Sequence, residues 1–276
     1  MSEKFDPLVA EWKAYATNPN LTLVEKCLKL AQILEYPELD VTKYVEKINE
    51  LGLSLKNSMD NTIDNPTYKI SMLNEHLFDH CGFSGDTDDY YNPKNNFLND
   101  VLDKKSGIPI TISIVYAEVA KHIGLDLRIV GFPSHILVKY GEEIILDPFN
   151  GGVRLSFDNL NDILFQSYGE EVKFVPEYLN EITPEKILIR MTRNLKNSYV
   201  QSYAYDMAMR CINMTLALEP ISSEEIRDKG ILEERLLNHD QALTCLNQYL
   251  EINPNAEDVD FVLDLIKSIR EKINQQ

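Results

Sequence analysis

A chain of 276 residues with 44% apolar content carries enough hydrophobic surface for one large or two medium packed domains, which excludes general disorder. With 27 basic against 44 acidic residues the net charge is −17, a field that repels phosphate backbones and anionic bilayers, so neither nucleic acid nor membrane is an expected partner. Cys27, Cys81, Cys211 and Cys245 lack CxxC spacing and three of them sit in apolar helical stretches, so a reducing, cytoplasmic location is expected.

Residues 1–20 mix charges with isolated apolar positions and lack the basic start and apolar core of a signal peptide. No later run approaches the roughly 20 apolar residues that span a bilayer. Leu23, Cys27, Leu30 and Leu34, then Val41, Tyr44, Val45 and Ile48, recur at helical spacing on either side of Pro37 and predict two amphipathic helices. A third run over 68–80, with Ile70, Leu73, Leu77 and Phe78, stops before Gly82. A loop dense in Asp and Asn follows, then a short helix over 96–102.

Pro109 stands where proline is tolerated, in the first turn of a helix that reaches Gly124. Ile110, Ile112, Ile114, Val115, Ala117, Val119, Ala120 and Ile123 make that helix apolar on nearly every side, the mark of a central, buried element. Three β-rich runs follow, at 127–132, 135–140 and 144–147. One central helix on a small antiparallel sheet is an α+β domain. The expected division is 1–183, with its core at 73–160, and 184–276.

The second part is helical and repeats itself. A shift of 34 residues matches Ala208 with Ala242, Cys211 with Cys245, Asn213 with Asn247 and Pro220 with Pro254, the period of tetratricopeptide helix pairs. Gly230 stands at the expected glycine of the second unit, whereas the first has Lys196 there. Two such units cannot bury their faces alone, so further elements, among them a last helix at 259–273, must pack on them. Their concave surface is the expected seat of a protein or peptide partner.

In the segment 135–147, His135 and Asp147 lie six residues on either side of Gly141. A hairpin centred there makes them cross-strand neighbours, close enough for the carboxylate to hold one imidazole tautomer. A two-residue loop makes the pair diagonal instead. Alone, such residues read as a strand-end histidine and a turn former before Pro148. The helix start at Ser106 to Thr111, whose free amides could stabilise an oxyanion, strengthens the chemical reading.

Four blocks occur in order: residues 85–99 with Tyr90, Tyr91 and Asn95; Ser106-Gly107-Ile108-Pro109-Ile110-Thr111 with Ser113; Phe132-Pro133-Ser134-His135; and Leu146-Asp147-Pro148-Phe149 followed by Gly151-Gly152. Together they resemble the SirB family of bacterial proteins, which join a transglutaminase-like domain of the papain-like superfamily to tetratricopeptide repeats. The resemblance makes His135 and Asp147 the second and third members of a Cys-His-Asp triad. Where active transglutaminases carry Gly-x-Cys, this chain has Gly107-Ile108-Pro109, and an imino acid has no acidic group to serve as nucleophile.

Thr111 and Ser113 are the nearest hydroxyls. At about 100° per residue they project about 200° and 400° around the axis from Pro109, so Ser113 returns to the same face about 6 Å further along. Hydroxyls inside helices usually bond the backbone one turn earlier. Tyr90, Tyr91 and Asn95 belong to the same block and are candidate ligand-binding residues, with coverage of the core edge as the alternative for the tyrosines. The expected function is therefore a non-catalytic protein- or peptide-binding module. The rival is an amide or ester hydrolase, or acyl transferase, in which His135 is general base, Asp147 orients it, and Ser113, Thr111 or a water attacks.

No metal or cofactor is expected. Asp86, Asp88 and Asp89 suggest a calcium loop, yet the glycine and terminal glutamate are missing and Phe97 stands at the twelfth place. His76 and His80 have the spacing of a metal pair but lack a third ligand on their face. Gly151 and Gly152 form a turn with no phosphate-loop pattern around it.

Overall fold

The structure, a computed structural model, describes residues 6–274. It divides into two compact units, one formed by Asn18–Met191 and one by Met1–Thr17 with Thr192–Gln276. The first helix, α1 (Pro7–Ala16), capped by the Asp6 carboxylate and opened by Pro7, belongs to the second of these.

In the unit Asn18–Met191, α2 (Leu23–Leu34) begins with a capping box in which Thr22 and Glu25 satisfy each other's backbone amides. Asp40 caps α3 (Val41–Ser58), and Asn65 with Pro66 starts α4 (Pro66–Asn74), which runs on into a wider π-type turn over Glu75–His80. Strand β1 (Ser84–Gly85), helix α5 (Leu98–Lys104) and strand β2 (Ser106–Gly107) lead to α6 (Pro109–Lys121). All of α6 except Glu118 and Lys121 is buried, as its all-round apolar pattern predicts. The two-residue strands β1 and β2 pair in parallel and hold the start of α6 against the Asp-rich loop.

The sheet is an antiparallel meander of β3 (Arg128–Val130), β4 (Leu137–Tyr140), β5 (Ile144–Asp147) and β6 (Val153–Leu155). Three of the strands lie within the predicted runs. The fourth, β6, is an edge strand with Val153 and Arg154 exposed, so it carries no burial alternation to read. Helix α7 (Phe157–Tyr168), also absent from the sequence reading, buries Leu160 and Leu164 against Val130, Phe132, Leu137 and Ile145 of the sheet.

Helix α8 (Pro184–Gln201) runs across the division between the units, which falls between Met191 and Thr192. The side chains explain where it falls. Met191 places its sulfur 3.5 Å from Cys27, whereas Thr192 shares a 2.8 Å hydroxyl pair with Thr215. The repeat unit continues through α9 (Tyr205–Leu218), α10 (Ser223–Arg235), α11 (His239–Ile252) and α12 (Val259–Asn274).

Ala208, Cys211, Ala242 and Cys245, matched by the 34-residue shift, are all buried. A Cβ at Gly230 would stand 2.7 Å from Leu246 Cγ, so glycine there permits close approach of α10 and α11. Lys196, at the equivalent place one repeat earlier, instead turns its ammonium to Glu225 at 3.0 Å and Asp228 at 2.6 Å. Helix α1 joins this unit through Trp12, fully buried, whose indole N–H donates to the Met214 carbonyl at 3.1 Å. Among the described residues no helix is long and apolar enough to cross a membrane.

Candidate functional site

His135 is delivered by a tight turn rather than by a strand. Ser134 has φ +60°, its hydroxyl pairs with that of Ser167 at 2.7 Å, and the His135 amide donates back to the Phe132 carbonyl at 3.1 Å. The hairpin after it is centred on Glu142, not Gly141. Tyr140 pairs with Ile144 and Val138 with Leu146, which leaves a three-residue loop and sets Asp147 level with Leu137. His135 therefore stands two residues beyond its direct partner, in a diagonal position on the same face. The direct pairing is corrected, yet the contact forms, because the turn at Ser134 folds the imidazole back along the sheet edge.

His135 Nε2 lies 3.0 Å from Asp147 Oδ2, with Asp147 only 2% exposed. The same carboxylate accepts from the Asn150 side-chain amide at 2.7 Å and from the backbone amides of Phe149 at 3.1 Å and Asn150 at 3.4 Å. Burial pushes the Asp147 pKa upward, but the bonds from His135 and Asn150 outweigh it and hold the carboxyl below its ordinary value. A carboxylate can only accept, so in the neutral imidazole Nε2 carries the proton and Nδ1 keeps its lone pair. Nδ1 has no partner among the described residues.

Around this pair runs a chain of rings. His135 meets Phe149 edge-on at 6.1 Å, Phe149 meets Tyr90 at 6.2 Å, and Tyr90 meets Tyr91 at 5.3 Å. A Cβ at Gly85 would fall 2.5 Å from the Phe149 ring, so glycine in β1 lets Phe149 lie flat beside the loop. Tyr90 thus reaches the surroundings of His135, while Tyr91 is 56% exposed. Asn95 is buried and occupied elsewhere: its amide donates to Asp86 and to the Asp89 carbonyl, closing the Asp-rich loop.

The candidate nucleophiles are placed as follows. Pro109 is buried at the first turn of α6. Thr111, with 0% exposure, donates to the Asn95 carbonyl at 2.8 Å and accepts from the Ile108 amide at 3.1 Å. Its hydroxyl is committed to the backbone. Ser113 is also at 0% exposure, and its oxygen has no hydrogen-bond partner. The two thiols of this unit point elsewhere, Cys27 to Met191 and Cys81 toward His76 at 3.7 Å.

His76 and His80 do not converge as ligands. His76 Nε2 bonds the Leu51 carbonyl at 3.0 Å, and burial lowers its pKa, whereas His80 is exposed beside Glu75. Among the described residues no cluster of three or more His, Cys, Asp or Glu side chains is arranged to hold a metal ion. Cavities of about 600 Å³, lined by Glu142, Arg154 and Phe157, and about 230 Å³, lined by Lys47, Phe83 and Leu102, do not include His135 or Asp147.

Sequence reasoning missed three neighbours of the pair. Phe149 and Asn150 stand two and three residues after Asp147 and could have been read as its Asx-turn partners. Arg190 is more distant: it donates to the Phe132 carbonyl at 3.2 Å and the His135 carbonyl at 2.9 Å. Its signal was a lone charge inside the apolar run Ile187-Leu188-Ile189-Arg190-Met191.

Comparison with known proteins agrees with this layout. Residues 42–193 match the family described as the transglutaminase-like superfamily, and residues 195–267 match a tetratricopeptide repeat family. A UPF0162 protein of Xylella fastidiosa is 32% identical over 263 residues, covering 92% of this chain and 93% of its own. A UPF0162 protein of Vibrio cholerae is 30% identical over 65% of this chain and 67% of its own. F-box only protein 21 of Mus musculus is 29% identical over 76% of this chain but only 35% of its own length. No solved structure matches. A transglutaminase-like core, a tetratricopeptide region and near end-to-end similarity to the Xylella protein place this chain in the UPF0162 family of the transglutaminase-like superfamily.

Proposed function

We propose that this protein is a non-catalytic, peptide-binding relative of the transglutaminases, of the SirB type, whose repeats offer a second surface to a protein partner. One observation carries the reading: the His135–Asp147 pair is intact, while each side-chain candidate for its nucleophile is unreactive, committed or sealed. Pro109 has no reactive atom, the Thr111 hydroxyl is bound to backbone, and Ser113 is closed off from solvent. Without a side-chain nucleophile the pair cannot form the covalent acyl intermediate of a transglutaminase. What the pair retains is recognition, since Nδ1 can accept an N–H from an extended ligand. The four free cysteines suit a reducing compartment, and a cytoplasmic setting belongs to the same proposal.

Turnover tests this directly. A panel of peptide amides and esters is expected to be hydrolysed at the same background rate by the wild type and by His135→Ala. A wild-type rate about a hundredfold above that variant, the usual scale of a lost general base, would establish the rival enzyme with water or a hydroxyl attacking.

A further inference from the structure

Arg190 is a half-buried cation with no carboxylate partner among the described residues. Its guanidinium spends two N–H groups on the Phe132 and His135 carbonyls, and no carboxylate lies within ion-pair distance of it among the described residues. Three of its five donors remain. Burial draws its pKa below the ordinary value, and the groups that oppose this are the phenols of Tyr90 and Tyr168. Arg190 itself is only partly buried, and its two carbonyl bonds set it behind the turn that delivers His135. In a chain of net charge −17, with 44 acidic residues, an arginine held only by backbone carbonyls keeps its charge available to an external anion.

We propose that Arg190, bonded to the carbonyls of the turn that delivers His135, seats a carboxylate of a bound peptide whose amide N–H is accepted by His135 Nδ1. The assignment rests on the peptide-binding reading and adds its ligand class. One guanidinium balances a monoanion and matches a carboxylate with paired N–H donors. A phosphate dianion would leave surplus negative charge near the ionised Asp147 and is disfavoured. The competing role, a clamp on the turn before His135, needs only hydrogen bonds and no positive charge.

The test uses the full chain with ¹³C-labelled histidine and follows the His135 ring resonance. N-acetyl-dialanine is titrated as the free acid and as its amide, with N-acetylglutamate amide, N-acetylglutamine amide and inorganic phosphate alongside. The free acid is expected to bind about tenfold more tightly than its amide, and added salt should weaken the acid alone. Arg190→Gln should erase that difference, whereas Arg190→Lys, which keeps charge but not the clamp, should preserve part of it. Preference for the glutamate compound over the glutamine one would extend the same seat to side-chain carboxylates. Equal binding of acid and amide by the wild type overturns the carboxylate seat and leaves peptide binding standing. No shift with any peptide overturns both, and phosphate binding as tightly as the acid overturns the assigned class. Should Arg190→Gln not fold, the acid-to-amide ratio and its salt dependence in the wild type decide alone.

Discussion

Glu225→Ala is expected to lower the unfolding free energy of the repeat region by about 3 kcal/mol, the scale for removing one partner of a buried charge network. Glu225 has no exposed surface and stands between two cations, with Arg193 Nε and Lys196 Nζ each at 3.0 Å. Without it, the largely buried Lys196 ammonium keeps only Asp228, while Arg193 retains Glu219 and Ser222 near the surface. The network replaces what glycine does in the next repeat: where Gly230 admits Leu246 closely, Lys196 occupies the position and must be neutralised. As a contrast, Lys272→Ala, which breaks an exposed bridge to Glu234, should cost less than about 1 kcal/mol. Urea denaturation followed by circular dichroism reads both. Equal, small losses would mean that Glu225 behaves as an ordinary surface charge.

Asp147→Ala is expected to cost a similar amount, about 3 kcal/mol, through a different mechanism. The change strips four donors of one acceptor: the imidazole, the Asn150 amide and two backbone N–H groups. All four donors are part-buried around a carboxylate that is itself buried, so losing their shared acceptor leaves each with part of its desolvation cost. The pH dependence follows in sign. Hydrogen bonds from His135 and Asn150, overcoming burial, hold the folded carboxyl below its ordinary value of 3.8. The unfolded chain therefore takes up this proton first as acid is added, so the stabilisation is present above pH 3.8 and is lost as the pH falls through the lower, folded value. The stability gap between wild type and Asp147→Asn should accordingly narrow below that pH. A gap that stays constant from neutral pH into this acid range would show that the ionised carboxylate contributes nothing to stability.

Much of this layout is legible in the residues themselves. The all-apolar face of Ile110, Ile114 and Val119 announces a buried helix, and the spacing of Ala208 and Ala242 announces stacked helix pairs, because burial forces a period that composition cannot hide. The parts that escaped reading have local reasons. Trp12 lies in a short helix with two buried residues, too little apolar rhythm to register. Val153 and Arg154 face solvent on an edge strand. The hairpin register turned on whether Gly141 or Glu142 centres the loop, a one-residue question that turn composition leaves open. Arg190 was invisible as a neighbour of His135 because 55 residues separate them, and only the packing of α8 in its own unit brings the guanidinium to that carbonyl.

The same locality explains why the missing thiol was plain from the outset and the state of the hydroxyls was not. Pro109 is an identity, readable at once. That Thr111 is tied to Asn95 and Ile108, and Ser113 enclosed, depends on how the loop before α6 folds over the helix.

The most direct measurement of that claim is the intact mass of the full chain after incubation with a fluorophosphonate, which labels hydroxyls activated by a neighbouring base. We expect the unmodified mass in both the wild type and His135→Ala. A stoichiometric adduct on Ser113 or Thr111 that disappears in His135→Ala would show a working nucleophile and contradict the account.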